Sequence, residues 1–401
     1  MRLNLWKLPA VVLAAGFALG SAWAQKRYDP GASDKEILIG GISPYSGPAS
    51  AYGTIGKAIS AYIDKVNADG GVNGRKIKFI SLDDGYNPAK TVEQTRKLVE
   101  EEEVLLLFNT LGTPPNSAIH RYMNQKKVPQ LFVATGATKW GDPKNFPWTM
   151  GWQPNYQSEA KIFAQHILET KPNAKIAVIY QNDDYGKDYL KGFEDGLGAR
   201  AASMIVRKVT YEVTDPTIDS QILTLKNSGA DVFFNITTPK FAAQAIKKMA
   251  EIDWKPTHYL NSVSASVGSV LTPAGLNNSV GIITNAYLKD PTDPQWQNSK
   301  EYQDWAAWMK QYYPQGDTKD ANNVFGYTAA QGLVQVLRQA GDNLTRENIM
   351  RQAASLDFTL PMLLPGVNVK TGPDDFFPIE RVQLQRFDGK TWQLFGKVYG
   401  R

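Results

Sequence analysis

Four short polar loops, each carrying a glycine, contain the residues of this sequence best suited to chemistry. Two of them, Asn109–Thr113 and Ala134–Thr138, follow short apolar segments. Free backbone N–H groups, threonine hydroxyls and the positive end of a helix dipole together bind anions. Glycine and threonine are also common in simple turns, but two such loops in one part of the chain predict a carboxylate site. The other two loops are Ser43–Gly47 and Asn182–Gly186.

Known catalytic motifs are absent from the sequence. It has no Gly-x-Ser-x-Gly elbow, no Gly-x-x-x-x-Gly-Lys-Ser/Thr loop and no His-Glu-x-x-His motif. The acid pairs Asp83-Asp84 and Asp183-Asp184 fit turns or helix caps, because adjacent carboxylates on an extended chain point to opposite faces. Three scattered histidines and no cysteine give neither metal-ligand spacing nor thiolate chemistry. We expect a protein that is not an enzyme and needs no metal or cofactor; the alternative is an exported hydrolase or lyase.

The elements that position these loops alternate between strand and helix patterns. Helices are indicated by apolar residues at helical spacing, and strands by short apolar or alternating runs. The wholly apolar segment Val104–Phe108 is typical of a parallel sheet covered on both faces. The predicted order in the first half is strand 36–42, helix 54–68, strand 76–82, helix 89–100, strand 104–108, helix 115–126 and strand 130–134.

The alternation restarts after Tyr156, and the aromatic- and proline-rich segment 140–156 is predicted to hold the first crossover between the two series. Two series predict an α/β protein with two doubly wound parallel-sheet lobes, in which ligands bind outside the carboxyl ends of the strands. The second order is helix 157–169, strand 175–180, helix 187–198, strand 204–209, helix 218–227, strand 231–236, helix 240–251, strand 258–261, helices 299–312 and 323–340, and a hairpin within 377–399.

The first 24 residues have the pattern of a secretory signal peptide. Arg2 and Lys7 precede the apolar run Leu8–Leu19, which is about 12 residues long, whereas a transmembrane helix needs roughly 20. Ala22-Trp23-Ala24 forms a small-x-small cleavage site before Gln25. We therefore expect residues 1–24 to be removed and the mature chain to lie in the periplasm.

The composition is that of a globular protein of moderate charge. The 401 residues are 42% hydrophobic and 21% charged, with a formal net charge of +5, and lysine and arginine never form runs longer than two. This balance gives no reason to expect a nucleic-acid or membrane partner. The length also exceeds that of one ordinary core, which agrees with two lobes.

Five segments, read in order, resemble the periplasmic solute-binding proteins of branched-chain amino-acid type ABC transporters. They are IGGISPYSGPASAYG, VNADGGVNGRKIKFISLDDGYNP, NTLGTPPNSA, LFVATGAT and YQNDDYGKDY. The resemblance implies a type I periplasmic-binding-protein fold, with two α/β lobes joined by three crossovers that close on one small ligand. It also implies a monomer that delivers its ligand to an inner-membrane permease and ATPase complex. The lobes implied are 30–155 with 286–358, and 156–285 with 359–401.

The resemblance also implies which residues bind the ligand. In relatives, the two threonine- and glycine-bearing loops hold the ligand carboxylate, and tyrosines that match Tyr52 and Tyr185 wall the pocket. Trp152 and Tyr156, from the aromatic segment, are candidate stacking surfaces. The ligand-binding residues predicted in this way are Tyr45, Tyr52, Leu111, Gly112, Thr113, Thr135, Gly136, Ala137, Thr138, Trp152, Tyr156, Tyr185, Thr237 and Ser262.

Two departures from the family bear on the identity of the ligand. Amino-acid binders hold the ligand ammonium with an acid and a tyrosine of the second lobe. The corresponding regions here contain Ser262 and Thr237, and we expect no carboxylate on this side of the site. An ammonium that loses its water without gaining an anion is costly to bury. The sequence therefore predicts a small carboxylate ligand, an amine-free organic acid with an aromatic or hydrophobic body. The alternatives are a branched-chain or other amino acid, and a sensing rather than a transport role.

Overall fold

A computed structural model describes residues 26–400, so the predicted signal peptide at 1–24 lies outside the described residues. The chain forms two large sheets with helices packed against them. The first sheet is parallel throughout, as the apolar strands predicted. Its strand order is Lys76–Asp83, Glu36–Ser43, Leu106–Phe108, Gln130–Val133 and Thr149–Gly151.

The second sheet has seven strands and is mixed. Five of its strands are parallel, and the final hairpin, Val382–Phe387 and Trp392–Tyr399, adds two antiparallel strands at one edge. This hairpin turns at Asp388-Gly389 as predicted, because the Asp388 side chain accepts from the backbone N–H of Lys390. The parallel strands are, in sheet order, Ile283–Ala286, Thr257–Leu260, Val232–Ile236, Ile176–Gln181 and Ile205–Tyr211.

The predicted helices are present, within a few residues at their ends, whereas Ala201–Met204, Thr272–Ala274 and Arg346–Ala353 are helices that the sequence did not predict. Several begin at a side chain that caps them: Asp183 accepts from the backbone N–H groups of Tyr185 and Gly186, which confirms that this acid is a helix cap. Among residues 26–400, none of the helices is both long and apolar enough to span a bilayer. The helices are Gly53–Ala68, Pro88–Arg96, Thr113–Lys126, Tyr156–Thr170, Asp184–Leu197, Ala201–Met204, Asp219–Lys226, Pro239–Glu251, Thr272–Ala274, Lys300–Tyr312, Ala321–Ala340 and Arg346–Ala353.

Small two-stranded sheets complete the elements. Arg27–Tyr28 pairs with Asn343–Leu344, and Asp357–Phe358 pairs with Val369–Lys370. Buried residues from Leu360 to Ile379 pack in the same core cluster as the first sheet. We therefore move the proposed third crossover from 358–359, where the resemblance suggested it, to the segment after Ile379.

The segment 140–156 is more than a crossover. It contains the strand Thr149–Gly151, which forms the edge of the first sheet, so the first crossover is confined to the few residues before the helix Tyr156–Thr170. The strand Ile283–Ala286, which leads to the second crossover, is also absent from the predicted elements. Thr284 and Asn285 interrupt its apolar residues, so the local pattern does not predict a strand there.

Candidate functional site

A cavity of about 120 Å³ lies between the two sheets. Its walls come from the loops at the carboxyl ends of strands in both sheets, which is where open α/β sheets bind ligands. The first sheet contributes Tyr86, Leu111–Thr113 and Ala134, and the second contributes Tyr185, Thr238, Ser262 and Tyr287. Most of the exposed wall is apolar, which suits a hydrophobic ligand held by a few polar groups.

Half of the predicted ligand-binding residues line this cavity. They come from both sheets and from the start of the helix Tyr156–Thr170, so a molecule in the cavity contacts both lobes. Burial raises the pKa of the Tyr52 and Tyr185 phenols well above the usual value, so both remain neutral aromatic surfaces. The predicted residues on the wall are Tyr52, Leu111, Gly112, Thr113, Tyr156, Tyr185 and Ser262.

The other half of the predicted ligand-binding residues are not part of the cavity wall. The N–H and the hydroxyl of Thr138 both donate to Asp188, at 2.9 and 3.0 Å, so this threonine connects the lobes instead of facing a ligand. Trp152 is fully buried, 4.7 Å from the ring of Phe132, in the core beside the first sheet. The remaining predicted residues that the wall does not include are Tyr45, Thr135, Gly136, Ala137 and Thr237.

Local contacts explain these placements. The Tyr45 hydroxyl bonds to Ser81, and the Thr237 hydroxyl donates to Asn235 at 2.6 Å, so both turn away from the cavity. Gly136 packs so closely on the carbonyl of Pro154 that a Cβ there would lie 2.3 Å from its oxygen. The predicted loops thus reach the site, but each loop presents only some of its residues to the cavity.

A relay of hydrogen bonds orients the Thr113 hydroxyl. The indole N–H of Trp140 and the backbone N–H of Ala137 both donate to Thr135 Oγ1, at 3.2 and 3.3 Å. A hydroxyl has one proton and two lone pairs, and these two N–H groups occupy the lone pairs of Thr135. We therefore infer that Thr135 donates its proton in the 2.6 Å contact with Thr113 Oγ1. Thr113 therefore keeps its own proton for an acceptor in the cavity. Thr135 acts behind the wall, as a support for Thr113.

Gly112 brings the backbone close to the cavity in a conformation that favours glycine. Its φ is +96°, and a Cβ there would lie 2.4 Å from Cε2 of Tyr86. The predicted cradle of backbone N–H groups at the following helix is smaller than expected, because Pro114 and Pro115 have no N–H. The Thr113 hydroxyl, by contrast, remains a donor for an anion at this wall.

The cavity wall also contains residues that the sequence did not predict, among them Tyr86, Tyr287, Lys289 and Asp290. Tyr86 follows the strand Lys76–Asp83 just as the chosen loops follow theirs, so its position at a carboxyl end was an available signal. Tyr287 follows a strand that was not predicted. Glu159, one turn into the helix Tyr156–Thr170, gave no local signal because its partner is distant in sequence.

Glu159 corrects the expectation that the second-lobe side of the site has no acid. Its carboxylate accepts from the backbone N–H and from the hydroxyl of Ser262, each at 2.7 Å. Glu159 is only 2% exposed, and burial raises the pKa of its carboxyl to about 7. An acid therefore stands directly behind a residue of the cavity wall.

Glu159→Gln is expected to flatten the pH dependence of stability. The folded-state pKa of Glu159 lies above the usual 4.5, so its stabilising contribution is full below about pH 4.5 and is lost as the pH rises to about 7. At 1.36 kcal/mol for each pKa unit, the wild-type protein should lose about 3 kcal/mol of unfolding free energy over that range relative to the variant. Urea unfolding at about pH 5 and pH 8 measures this. Glu169→Gln, an exposed change on the same helix, should follow the wild type; equal pH dependence in all three proteins would contradict the assignment.

Contacts across the cleft join the two lobes beside the cavity. Asp320, the cap of the helix Ala321–Ala340, accepts from the hydroxyls of Ser266 and Ser269, at 2.8 and 3.2 Å. The backbone N–H of Gly268 donates to the carbonyl of Lys319 at 2.9 Å. The two serines follow a strand of the second sheet, whereas the helix that Asp320 caps packs on Gly53–Ala68 of the first. These contacts hold the cleft closed at one edge.

Comparisons with known proteins agree with this geometry. The family model described as a periplasmic binding protein matches residues 36–391. The Leu/Ile/Val-binding protein homolog 1 of Brucella abortus is 26% identical over 345 residues, which cover 84% of this chain and 85% of that protein.

Two solved structures have the same fold. One is a branched-chain amino-acid ABC transporter protein from Thermus thermophilus with bound valine, with a TM-score of 0.81, 16% identity, and coverage of 92% of this chain and 96% of the other. Another is an ABC-transporter solute-binding protein from Rhodopseudomonas palustris with 3,4-dihydroxybenzoic acid, with a TM-score of 0.76, 18% identity, and coverage of 91% and 97%. The fold and the family expected from the sequence are confirmed: the chain belongs to the periplasmic binding protein family and has the type I fold of the binding proteins of branched-chain amino-acid type ABC transporters.

Proposed function

We propose that this protein is the periplasmic binding component of an ABC importer and that its ligand is a small organic acid with an aromatic or hydrophobic body. The proposal rests on the Thr113 hydroxyl. Its hydrogen bond with Thr135, which also accepts from Trp140, keeps its proton available as a donor on a wall that is otherwise largely apolar. Such a donor suits a carboxylate oxygen, and the tyrosines around it suit a ring.

The size of the cavity supports a ligand with one ring. Its volume of about 120 Å³ is close to the roughly 150 Å³ of an engineered apolar cavity that binds benzene. The relative from Rhodopseudomonas palustris holds a dihydroxybenzoic acid on the same fold. Transport then requires release of the acid to an inner-membrane permease and ATPase complex, with the mature monomer moving through the periplasm after loss of residues 1–24.

A branched-chain amino acid is the second candidate, and Glu159 is the observation that favours it. Its carboxylate lies behind Ser262, near the position where amino-acid binders carry their acid. The structural relative from Thermus thermophilus holds valine. Both oxygens of Glu159 are already bonded to Ser262, however, so an ammonium in the cavity would contact a neutral hydroxyl, and we place this candidate second.

Calorimetric titration of the mature protein decides between the two. We expect micromolar or tighter binding of benzoate or a phenylpropanoid acid, and leucine binding weaker by about 100-fold or more. The reason is that Glu159, behind the wall, and Asp290, on the wall, already accept hydrogen bonds from protein groups, so an ammonium would compete with these bonds for a carboxylate. Benzamide, which has the same ring without the charge, should bind more weakly than benzoate. Micromolar leucine binding without heat from any aromatic acid would overturn the proposed ligand class.

A further inference from the structure

The contact between Glu159 and Ser262 determines whether the second-lobe wall of the cavity donates or accepts hydrogen bonds. Ser262 lines the cavity, and its hydroxyl proton is directed away from the cavity, to the Glu159 carboxylate at 2.7 Å. The backbone N–H of the same serine is bonded to the other carboxylate oxygen, also at 2.7 Å. Ser262 Oγ has two lone pairs, so even with the buried Tyr189 hydroxyl as a further hydrogen-bonding neighbour, one lone pair remains as an acceptor for a group in the cavity.

The two walls thus have opposite hydrogen-bonding character. Thr113 presents a proton, because Thr135 already donates to its oxygen, and Ser262 presents lone pairs, because its proton goes to Glu159. We propose that Ser262, oriented by Glu159, recognises a hydroxyl group on the ligand, so that the bound acid is a hydroxy acid. This inference rests on the proposed function, which places the carboxylate at Thr113.

A hydroxyl fits this wall better than an ammonium does. A ligand hydroxyl needs a single acceptor, which Ser262 Oγ supplies, whereas an ammonium has three protons and a full charge that require an anion or several acceptors. The carboxylate that contacts Ser262 is Glu159, which is buried and already accepts two hydrogen bonds from Ser262. Glu159 is a positioning residue that acts through Ser262.

Protonation of Glu159 would reverse the character of Ser262. Burial raises the pKa of the Glu159 carboxyl to about 7, and the titratable side chains that face it are Tyr156, Tyr189 and Tyr287, which burial keeps neutral. A protonated Glu159 donates to Ser262 Oγ, and the serine proton then turns to the cavity. The preference for a ligand hydroxyl should therefore be stronger at about pH 8.5 than at about pH 5.5.

The test compares benzoate with 3-hydroxybenzoate and 4-hydroxybenzoate by calorimetry, because these acids differ only in the hydroxyl. In the wild-type protein at about pH 8.5, at least one hydroxybenzoate should bind about tenfold more tightly than benzoate. The ratio should fall to about threefold or less at pH 5.5, and in Glu159→Gln it should stay low at both pH values. If Glu159 acted only through packing, Glu159→Gln would weaken the binding of all three acids equally, and the ratio of hydroxybenzoate affinity to benzoate affinity would not change.

Glu169→Gln, on the exposed side of the same helix, is the matched control and should keep the wild-type ratio and its pH dependence. Equal affinity for benzoate and both hydroxybenzoates in the wild-type protein at pH 8.5 would overturn this inference and leave the proposed function intact. A failure of every aromatic acid to bind, with tight binding of leucine, would overturn both.

Discussion

A Gly112→Val protein is expected to fold and to bind the acid ligand about 100-fold more weakly than the wild type, or not at all. The added Cβ would lie 2.4 Å from the Tyr86 ring, and the backbone at φ +96° strains any side chain. Relief of that contact moves either Tyr86 or the adjacent Thr113, and both line the cavity. Loss of one charge-assisted hydrogen bond alone is worth about 1.5–3 kcal/mol, and a blocked cavity adds to it.

Gly229→Val is the matched control for backbone strain. Gly229 also has a positive φ, +71°, but a Cβ there would meet nothing within 4 Å. Both variants should lose some unfolding free energy in urea, whereas only Gly112→Val should lose binding in a calorimetric titration with benzoate. If Gly112→Val binds benzoate as tightly as the wild type, the anion site lies elsewhere.

Asp320→Ala is expected to weaken ligand binding by about tenfold to 100-fold without any contact to the ligand. The Asp320 carboxylate accepts hydrogen bonds from Ser266 and Ser269 across the cleft, and a hydrogen bond to a charged group contributes about 1.5–3 kcal/mol. Because these bonds join residues on opposite sides of the cleft, we expect opening to break them, so their loss should lower the population of the closed state that binds ligand. Affinity should fall even though the carboxylate wall is unchanged.

Small-angle scattering separates this effect from damage to the site. The wild-type radius of gyration should decrease at saturating benzoate, and the variant should need a correspondingly higher concentration to reach the same value. Asp195→Ala, an exposed change on the helix Asp184–Leu197, should behave as the wild type. An unchanged benzoate affinity in Asp320→Ala would show that the cleft contacts do not stabilise closure.

The sequence by itself determined the order of the elements and the loops that carry the site. Apolar spacing along the chain is a local property, so each predicted helix and strand is present, within a few residues of its predicted bounds. The carboxyl end of each parallel strand is fixed by chain direction, which is why the loops containing Thr113, Tyr185 and Ser262 reach one cavity. The larger elements that it missed are the strands Thr149–Gly151 and Ile283–Ala286 and the helix Arg346–Ala353. Polar residues interrupt the apolar pattern in all three, so none has a clear period.

Only the tertiary structure decided which atoms of those loops face the cavity. Thr138 is directed to Asp188, 50 residues away in sequence, and Ser262 meets Glu159 at a separation of 103. These hydrogen-bond partners meet because of how the elements pack in three dimensions, and the spacing of apolar residues along the chain contains no information about them. The hydrogen-bonding character of the site, a proton at Thr113 and lone pairs at Ser262, follows from these long-range contacts, because a hydroxyl donates or accepts according to what its neighbours already provide.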